Sequence, residues 1–413
     1  MSSQVDRANT PAGTRLSRGG FMTVFGLGQI ISWGSLYYAV AVLAAPIRAE
    51  LGFSEVQVFG AFTVALFLSG LAAPAVGRQI DAHGGRGPMA LGSVLGGAAF
   101  VVIGAAPNFP VFLFGWALAG LAMAGSLYEA AFATLNRTVA LHEYRRAVTL
   151  LTLFGGFAST VFWPLTHGLL EGVGWRNACF IYAALQWLYC LPVHVWLIPP
   201  PRGVPSASSA DAVPATVAPS TGPRFAALAA AFASNAFIFS VMSVYLIPIL
   251  GWRGLSAAEA IGLAALVGPF QVGARMLEYA LARRMPAVRA GAVSFAAIFV
   301  ALSLLTMLQG LSPLAFVFIG LYGASNGIMT IARGTVPAEL FGREGYGALL
   351  GRLARPSFIA KAAAPGAFAL LLAAGMDFDR GLFVLIAVAA AGGAGYQWAV
   401  SRRADLMRRT GAS

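Results

Sequence analysis

Seven charged side chains lie well inside long apolar stretches of this chain: Glu129, Arg275, Glu278, Arg333, Arg352, Arg355 and Lys361. A charge at the centre of a helix in hydrocarbon costs at least about 2.5–3.5 kcal/mol, so each is a candidate for function. The Arg275 guanidinium suits bidentate recognition of a carboxylate or phosphate. Glu278, three residues on and on the same helix face, has two readings: a structural partner for Arg275, or a group for proton coupling. Lys361, the only lysine in the chain, stands near the middle of its stretch. It can bind an anion or exchange a proton, the alternative being that it snorkels or pairs with an acid. Arg333, Arg352 and Arg355 stand toward the ends of theirs, where gate or headgroup contacts are expected. Glu129 is the clear acid of the first half. It can carry a proton through a cycle, or pair with a cation. Five cations against two acids favour an anionic solute.

The elements that must position these groups follow from composition. Of 413 residues, 58% are hydrophobic and only 10% charged, against about 25% charged in soluble domains. Mean hydropathy is +0.76. These values exclude a soluble enzyme, a soluble nucleic-acid binder and a disordered chain. The net charge of +12 then reads as loops facing anionic lipid, with no nucleic-acid partner. A span needs about 20 mostly apolar residues, and twelve stretches qualify: 21–45, 56–76, 88–106, 111–135, 147–170, 177–198, 225–250, 258–282, 290–309, 313–334, 347–374 and 381–400. Turn residues separate them, as at Pro107–Pro110 and Gly172–Gly174. The first 20 residues lack the apolar core of a secretory signal and read as a cytoplasmic tail. With that end inside, eighteen arginines fall in cytoplasmic segments and four in external turns. This asymmetry predicts both termini in the cytoplasm.

Residues 199–224 are rich in Pro, Ser and Ala and almost free of large apolar side chains, as expected of a flexible linker. They divide the chain into an N-terminal tail and six-span half (1–198) and a six-span half with a basic tail (225–413). The halves repeat: Pro46 and Pro248, Ser54 and Ser256, and Gly60 and Gly262 are each 202 apart, and Pro164 and Pro365 are 201 apart. The predicted fold is all-α and integral to the membrane, with twelve helices in two pseudo-symmetric six-helix halves and a site near the midplane.

Between the second and third spans stands Gly77-Arg78-Gln79-Ile80-Asp81-Ala82-His83-Gly84-Gly85-Arg86. Asp81 can accept from helix N-terminal amides and pair with a nearby arginine. This segment, with the six-linker-six arrangement, resembles the major facilitator superfamily across nearly the whole chain. The resemblance implies a secondary transporter working by alternating access. It also implies that Gly77, Asp81, Gly84 and Arg86 latch the cytoplasmic side, with Arg333 and Arg355 as further gate residues. Ala82 and Gly85 stand where basic residues are usual. Pro46-Ile47, Glu50–Ser54 and Gln271–Arg275 resemble bacterial permeases related to monocarboxylate transporters. There an Arg at the position of Arg275 is associated with a substrate carboxylate, and an Asp where Gln271 stands is associated with the proton.

By the same resemblance spans 1, 4, 7 and 10 line the cavity, which makes Tyr37, Asn235 and Asn326 candidate substrate contacts, with an interhelical hydrogen bond as the alternative. Tyr37 lies in a cluster with Trp33, Ser35 and Tyr38. His167 and His194 read as packing residues, and no two histidines have metal-ligand spacing. Cys179 and Cys190, eleven apart on one span, lie about 16 Å apart along the axis and cannot bridge. There is no Walker loop. The expected function is uptake or exchange of a small carboxylate coupled to protons across a bacterial inner membrane, by a monomer without metal or cofactor, not an enzyme. Proton-driven efflux of a xenobiotic or arsenical is the alternative, favoured by Gly155-Gly156 with Pro164 and Gly168 and by the missing Asp at 271. A membrane sensor that binds without carrying is the third.

Overall fold

A computed structural model describes residues 17–198, 222–282 and 284–410. The polar tail before residue 17, most of the expected linker and the last three residues lie outside them. By contacts the chain divides into two units. The first holds the described residues up to 198 together with Arg343–Arg355; the second holds those from 222 to Gly342 and from Pro356 onward.

Every long element is helical, and no strand occurs among the described residues. Among the described residues ten helices are long and apolar enough to cross a membrane, and Gly19–Tyr38 with Val40–Leu51, bent by 40°, makes an eleventh span. One of the ten, Tyr144–Leu197, runs for 54 residues. At 1.5 Å per residue that is about 80 Å, far beyond a hydrocarbon core of about 30 Å. Gly174 interrupts it with φ +77° and ψ 166°, a left-handed conformation open to a residue without Cβ. The stretch is therefore two spans, and the total is the expected twelve.

In the first unit, α1 (Arg18–Trp33) passes through a π turn (Gly34–Tyr38) into α2 (Val40–Leu51). There follow α3 (Glu55–His83), α4 (Arg86–Ala105), α5 (Phe109–Ser126), α6 (Tyr128–Thr138), α7 (Tyr144–Gly156) and α8 (Ala158–Leu185). The second unit contains α9 (Pro223–Trp252), α10 (Ala257–Ala265), α11 (Val267–Leu281), α12 (Ala287–Met307), α13 (Pro313–Phe341), α14 (Tyr346–Ala373) and α15 (Phe378–Thr410). The first ten residues of α14 pack with the first unit.

The sequence repeat is a repeat of local physics. Ser54 and Ser256 each cap a helix by accepting from the amide three residues on, and Gln57 and Glu259 reach back to complete a capping box. Gly52 and Gly254, also 202 apart, both have positive φ. Close approaches repeat too. A Cβ on Gly120 would lie 2.3 Å from the Ala65 carbonyl oxygen, and one on Gly323 would lie 2.9 Å from that of Val267.

Spans 8 and 4, which read as continuous in the sequence, are each two helices. Span 8 breaks at Leu266 because Pro269, three residues into α11, cannot donate to the Ala265 carbonyl and its ring crowds that oxygen. Span 4 breaks at Leu127, whose backbone is extended, and no proline marks the place. Here the approach of Gly92 and Gly125, whose added Cβ atoms would meet Gly125 and Pro88 backbone at 2.8 and 2.9 Å, holds the end of α5 against α4.

Large apolar side chains such as Phe114, Leu188, Trp196, Leu370 and Phe383 are exposed, as a lipid-facing surface requires. On the side away from the arginine-rich loops, Glu50 accepts from Trp175 Nε1 (2.5 Å) and Arg176 Nε (2.8 Å). Arg176 Nη1 also donates to the Gly104 and Ala106 carbonyls (2.7 and 3.0 Å), tying together the ends of α2, α4 and the second half of α8.

Candidate functional site

The residues of the Gly77–Arg86 segment are brought together with the start of α14. Asp81 Oδ1 accepts from the Gly347 amide (2.8 Å) and Oδ2 from the Ala348 amide (2.7 Å). These are first-turn amides of α14, which have no partner inside their own helix and lie at its positive end. The backbones meet directly beside this bond: a Cβ on Gly77 would sit 1.9 Å from the Gly347 carbonyl oxygen, and one on Gly351 2.3 Å from that of Ala73. Gly84 ends α3 with φ +82°. Arg86 turns elsewhere, donating through Nε and Nη2 to the Ile198 carbonyl (3.2 and 2.8 Å). The arginine whose charge acts on Asp81 is Arg137.

A second set of contacts at this end was not anticipated from sequence. Arg343 donates to the Asn136 side chain and backbone carbonyl, and Asn136 Nδ2 donates back to the Arg343 carbonyl (3.1 Å). The Arg343 guanidinium lies 5.0 Å from the Tyr144 ring centroid, and Tyr144 meets Tyr346 edge-on at 5.8 Å. Gly347 and Gly351 have the small-xxx-small spacing that marks close helix packing. That signal was present in the sequence; the Asn136–Arg343 pair, 207 residues apart, had none.

Glu129 lies in the first turn of α6, where the break at Leu127 exposes helix N-terminal amides. A carboxylate is favoured there by the helix dipole. With Ala73, Val76, Gly77, Gly347 and Gly351 it borders one small gap, so it stands beside the α3–α14 contact. Half-helix ends at membrane depth are a recurrent way of building ion sites in transporters.

Tyr37 packs among rings. Its centroid is 5.3 Å from Trp33, 5.1 Å from Tyr38 and 5.4 Å from Phe62. Trp33 also lies 4.7 Å from Tyr128, next to Glu129 in sequence.

In the second unit, Arg275 and Glu278 on α11 are buried, at 4% and 3% exposure. Arg275 Nη2 donates to Thr330 Oγ1 (3.4 Å), which donates to the Asn326 carbonyl (2.9 Å). The approach is set by Gly327, whose Cβ would fall 2.4 Å from the Gln271 carbonyl oxygen. Arg275 and the Asn326 turn are thus neighbours. Arg333 Nη2 donates to the Phe232 carbonyl (3.3 Å) and its guanidinium lies 6.0 Å from that ring. Asn235 on α9 is buried, and the Lys361 carbonyl on α14 accepts from Ser240 Oγ (2.7 Å). Arg355 is exposed. His194 Nδ1 lies 2.8 Å from Ser93 Oγ and 3.1 Å from the Met89 carbonyl, the surroundings of a packing residue. Cys179 and Cys190 are buried and unbridged, and no group of three metal-ligating side chains occurs among the described residues.

Comparison with known proteins gives the arrangement a family. The family model of the Major Facilitator Superfamily matches residues 25–365. An uncharacterized 38 kDa protein in the 23S RNA operon of Thermoproteus tenax is 29% identical over 382 residues, covering 86% of this chain and 95% of that protein. Among solved structures, the human organic anion transporter MFSD10 (TETRAN) superposes with a TM-score of 0.69 at 17% identity, over 91% of this chain and 98% of its own. The E. coli fucose:proton symporter FucP superposes with a TM-score of 0.69 at 14% identity, over 92% and 99%. This multi-spanning membrane protein is a transport protein and belongs to the Major Facilitator Superfamily.

Proposed function

We propose that the protein carries a small organic anion, a carboxylate, across the bacterial inner membrane in exchange with or together with protons, both termini being cytoplasmic. The observation that carries this reading is Arg275. Its guanidinium is buried in a membrane-spanning helix beside the α13 turn of Asn326, with the buried Glu278 three residues on, and a buried charge in a span is a candidate for function. Lys361 would share the anion, and Tyr37, Asn235 and Asn326 would contact the rest of the solute. Glu129, at the N-terminus of α6, would carry the proton, with Glu278 as the second acid. Gly77, Asp81, Gly84 and Arg86 would form the gate with Arg333 and Arg355. Resemblance to monocarboxylate-related permeases at Arg275 is in keeping with the anion assignment, whereas Gln271 stands where that group has its proton-associated Asp, so the proton is assigned to Glu129.

The test is flux in proteoliposomes under an imposed pH gradient, with a panel of small carboxylates and an internal pH dye. Wild type should show saturable carboxylate flux. Arg275→Ala removes charge-assisted bonds of about 1.5–3 kcal/mol, so flux should fall roughly 10- to 100-fold, while Arg275→Lys keeps part of it. Glu129→Gln should lose proton-driven accumulation and retain carboxylate exchange. Absence of carboxylate flux in monodisperse, cooperatively unfolding protein overturns the uptake reading in favour of toxic-compound efflux.

A further inference from the structure

We infer that Arg343 is a positioning residue of the transport cycle. It caps the C-terminal end of α6 and so fixes that short helix, and with it the place of Glu129, while α14 sits on Asp81. The inference rests on the reading of Glu129 as proton carrier and adds the device that ties its placement to the cytoplasmic contact.

α6 has eleven residues and is set off from α5 by the extended Leu127. Nine of the eleven are buried. The two that are not are its charged residues, Glu129 in the first turn and Arg137 in the last. Seven positions separate Glu129 from Asn136, about 10 Å along the axis. A short helix shifts as one rigid piece, so a displacement at one end reaches the other. Its last carbonyls have no partner inside the helix and form its negative end, where a cation is favoured. Arg343 supplies that cation. It donates to the Asn136 carbonyl and side chain and, through Nη2, to the Val139 carbonyl (3.3 Å). Asn136 Nδ2 donates back to the Arg343 carbonyl (3.1 Å).

Three contacts make this cap part of the cytoplasmic closure and more than a local helix end. First, Arg343 shares one short turn with Gly347 and Ala348, whose amides donate to Asp81. The exchange is mutual: an acid at the end of α3 caps the start of α14, and the cation before α14 caps the end of α6. Second, Tyr144 joins the same turn to the middle of α6. Its hydroxyl donates to the Phe132 carbonyl (3.4 Å), while the Arg343 guanidinium lies over its ring and Tyr346 meets it edge-on. Third, α6 also bears on the turn between α3 and α4. A Cβ on Gly85 would lie 1.9 Å from Thr134 Oγ1, and the charge that acts on Asp81 is that of Arg137. At the other end of α6, Glu129 borders the gap lined by Gly77, Gly347 and Gly351. Withdrawal of the turn before α14 therefore removes the cap and the Asp81 bonds together, and frees α6 to shift with Glu129 on it.

The reporter is Ala130→Cys, next to Glu129 on the same gap and 2% exposed. It is labelled with a maleimide in the purified full chain, an arm that needs no solute. Arg343→Leu should speed labelling about tenfold or more, as expected for one lost charge-assisted bond. Arg343→Lys keeps a cation at the helix end and should stay near the parent rate; Asn136→Ala should fall between. In proteoliposomes supplied with lactate, Arg343→Leu should lower proton-driven accumulation about tenfold and exchange at equal pH less than about twofold. General loosening of the fold would lower both together and would not be rescued by lysine. Labelling at the parent rate in both Arg343→Leu and Asn136→Ala, or equal loss of accumulation and exchange, overturns the inference. Faster labelling in Arg343→Leu, with proton-driven accumulation intact in Glu129→Gln, would keep the placement of α6 by Arg343 and sink the assignment of Glu129. The opposite pair of results would sink the inference and keep Glu129 as the carrier. If lactate is not carried, the labelling arm decides.

Discussion

Gly77→Val is expected to abolish transport while leaving a folded protein in the membrane. The Cβ of any residue at 77 would lie 1.9 Å from the Gly347 carbonyl oxygen, 2.3 Å from its carbon and 2.9 Å from the Ala348 nitrogen. All three are backbone atoms of α14 or its first turn, so no side chain can rotate away. The reverse clash is as severe: a Cβ on Gly347 would meet the Gly77 carbonyl oxygen at 2.4 Å. Relief requires α3 and the start of α14 to separate by an ångström or more, roughly the gap between these distances and ordinary contact at about 3.5 Å. Both Asp81 bonds break with that movement, because they span the same contact. A transporter needs each of its end states populated, and moving an equilibrium from 99:1 to 1:99 takes about 5.5 kcal/mol. Overlap of backbone on backbone is of that order or larger, so flux should fall by about 100-fold or more. The check is flux together with maleimide labelling of Leu350→Cys, a position buried at 4% exposure in the α3–α14 region. The native cysteines are both buried, so background labelling should be low. Labelling should be slow alone and fast with Gly77→Val. Unchanged labelling and flux would show that the backbone contact is not part of the cycle. Gly351→Val, against the Ala73 carbonyl, should act in the same direction.

Asp81→Asn is expected to have the second largest effect, and to exceed Arg86→Ala clearly. Asp81 accepts from two adjacent amides, one through each oxygen. An asparagine presents one acceptor, and its NH2 then faces a backbone N–H. One charge-assisted bond worth about 1.5–3 kcal/mol is lost, and with it the favourable charge at the helix N-terminus, about 0.3–1 kcal/mol. Flux should drop about 20- to several-hundred-fold, and Leu350→Cys should label faster. Asp81→Glu keeps the charge but not the reach, and should fall between. Arg86 bonds to the Ile198 carbonyl at the end of the sixth span, so Arg86→Ala should weaken that anchorage and slow flux only a few-fold. The opposite order of effects would mean that the latch runs through the arginine of the loop and not through the α14 amides.

Both results depend on a contact that joins residues 266 positions apart, and this is where reading the chain as a string stops. Local signals carried the elements well. Ser54 and Gln57 announce a capped helix start, and Ser256 and Glu259 announce it again 202 residues later. Gly174 stands where the apolar run must stop, and its left-handed backbone stops it. The acceptor role of Asp81 at a helix N-terminus followed from its chemistry; which helix it would cap did not. The break at Leu127 carried no proline and no polar run, and with it went the placement of Glu129 in a first helical turn. The π turn at Gly34–Tyr38 was equally silent, because the same residues could continue an α-helix. Arg86 shared a segment with Asp81 but was drawn to another partner.

By itself the sequence determined a twelve-span helical membrane protein with two like halves, because span length, turn residues and capping act over a few positions and need no partner. The same is true of the short roster of buried charges, Arg275, Glu278, Lys361 and Glu129 among them, since their cost in hydrocarbon is set by side-chain chemistry alone. Only the tertiary structure decided which of these groups become neighbours: Asp81 with the α14 amides, Glu129 with the Gly77–Gly347 contact, Arg275 with the Asn326 turn, and Tyr37 with Phe62. Those outcomes depend on how closely the backbones of separate helices can approach, and that distance is a property of packed helices, not of any stretch of chain.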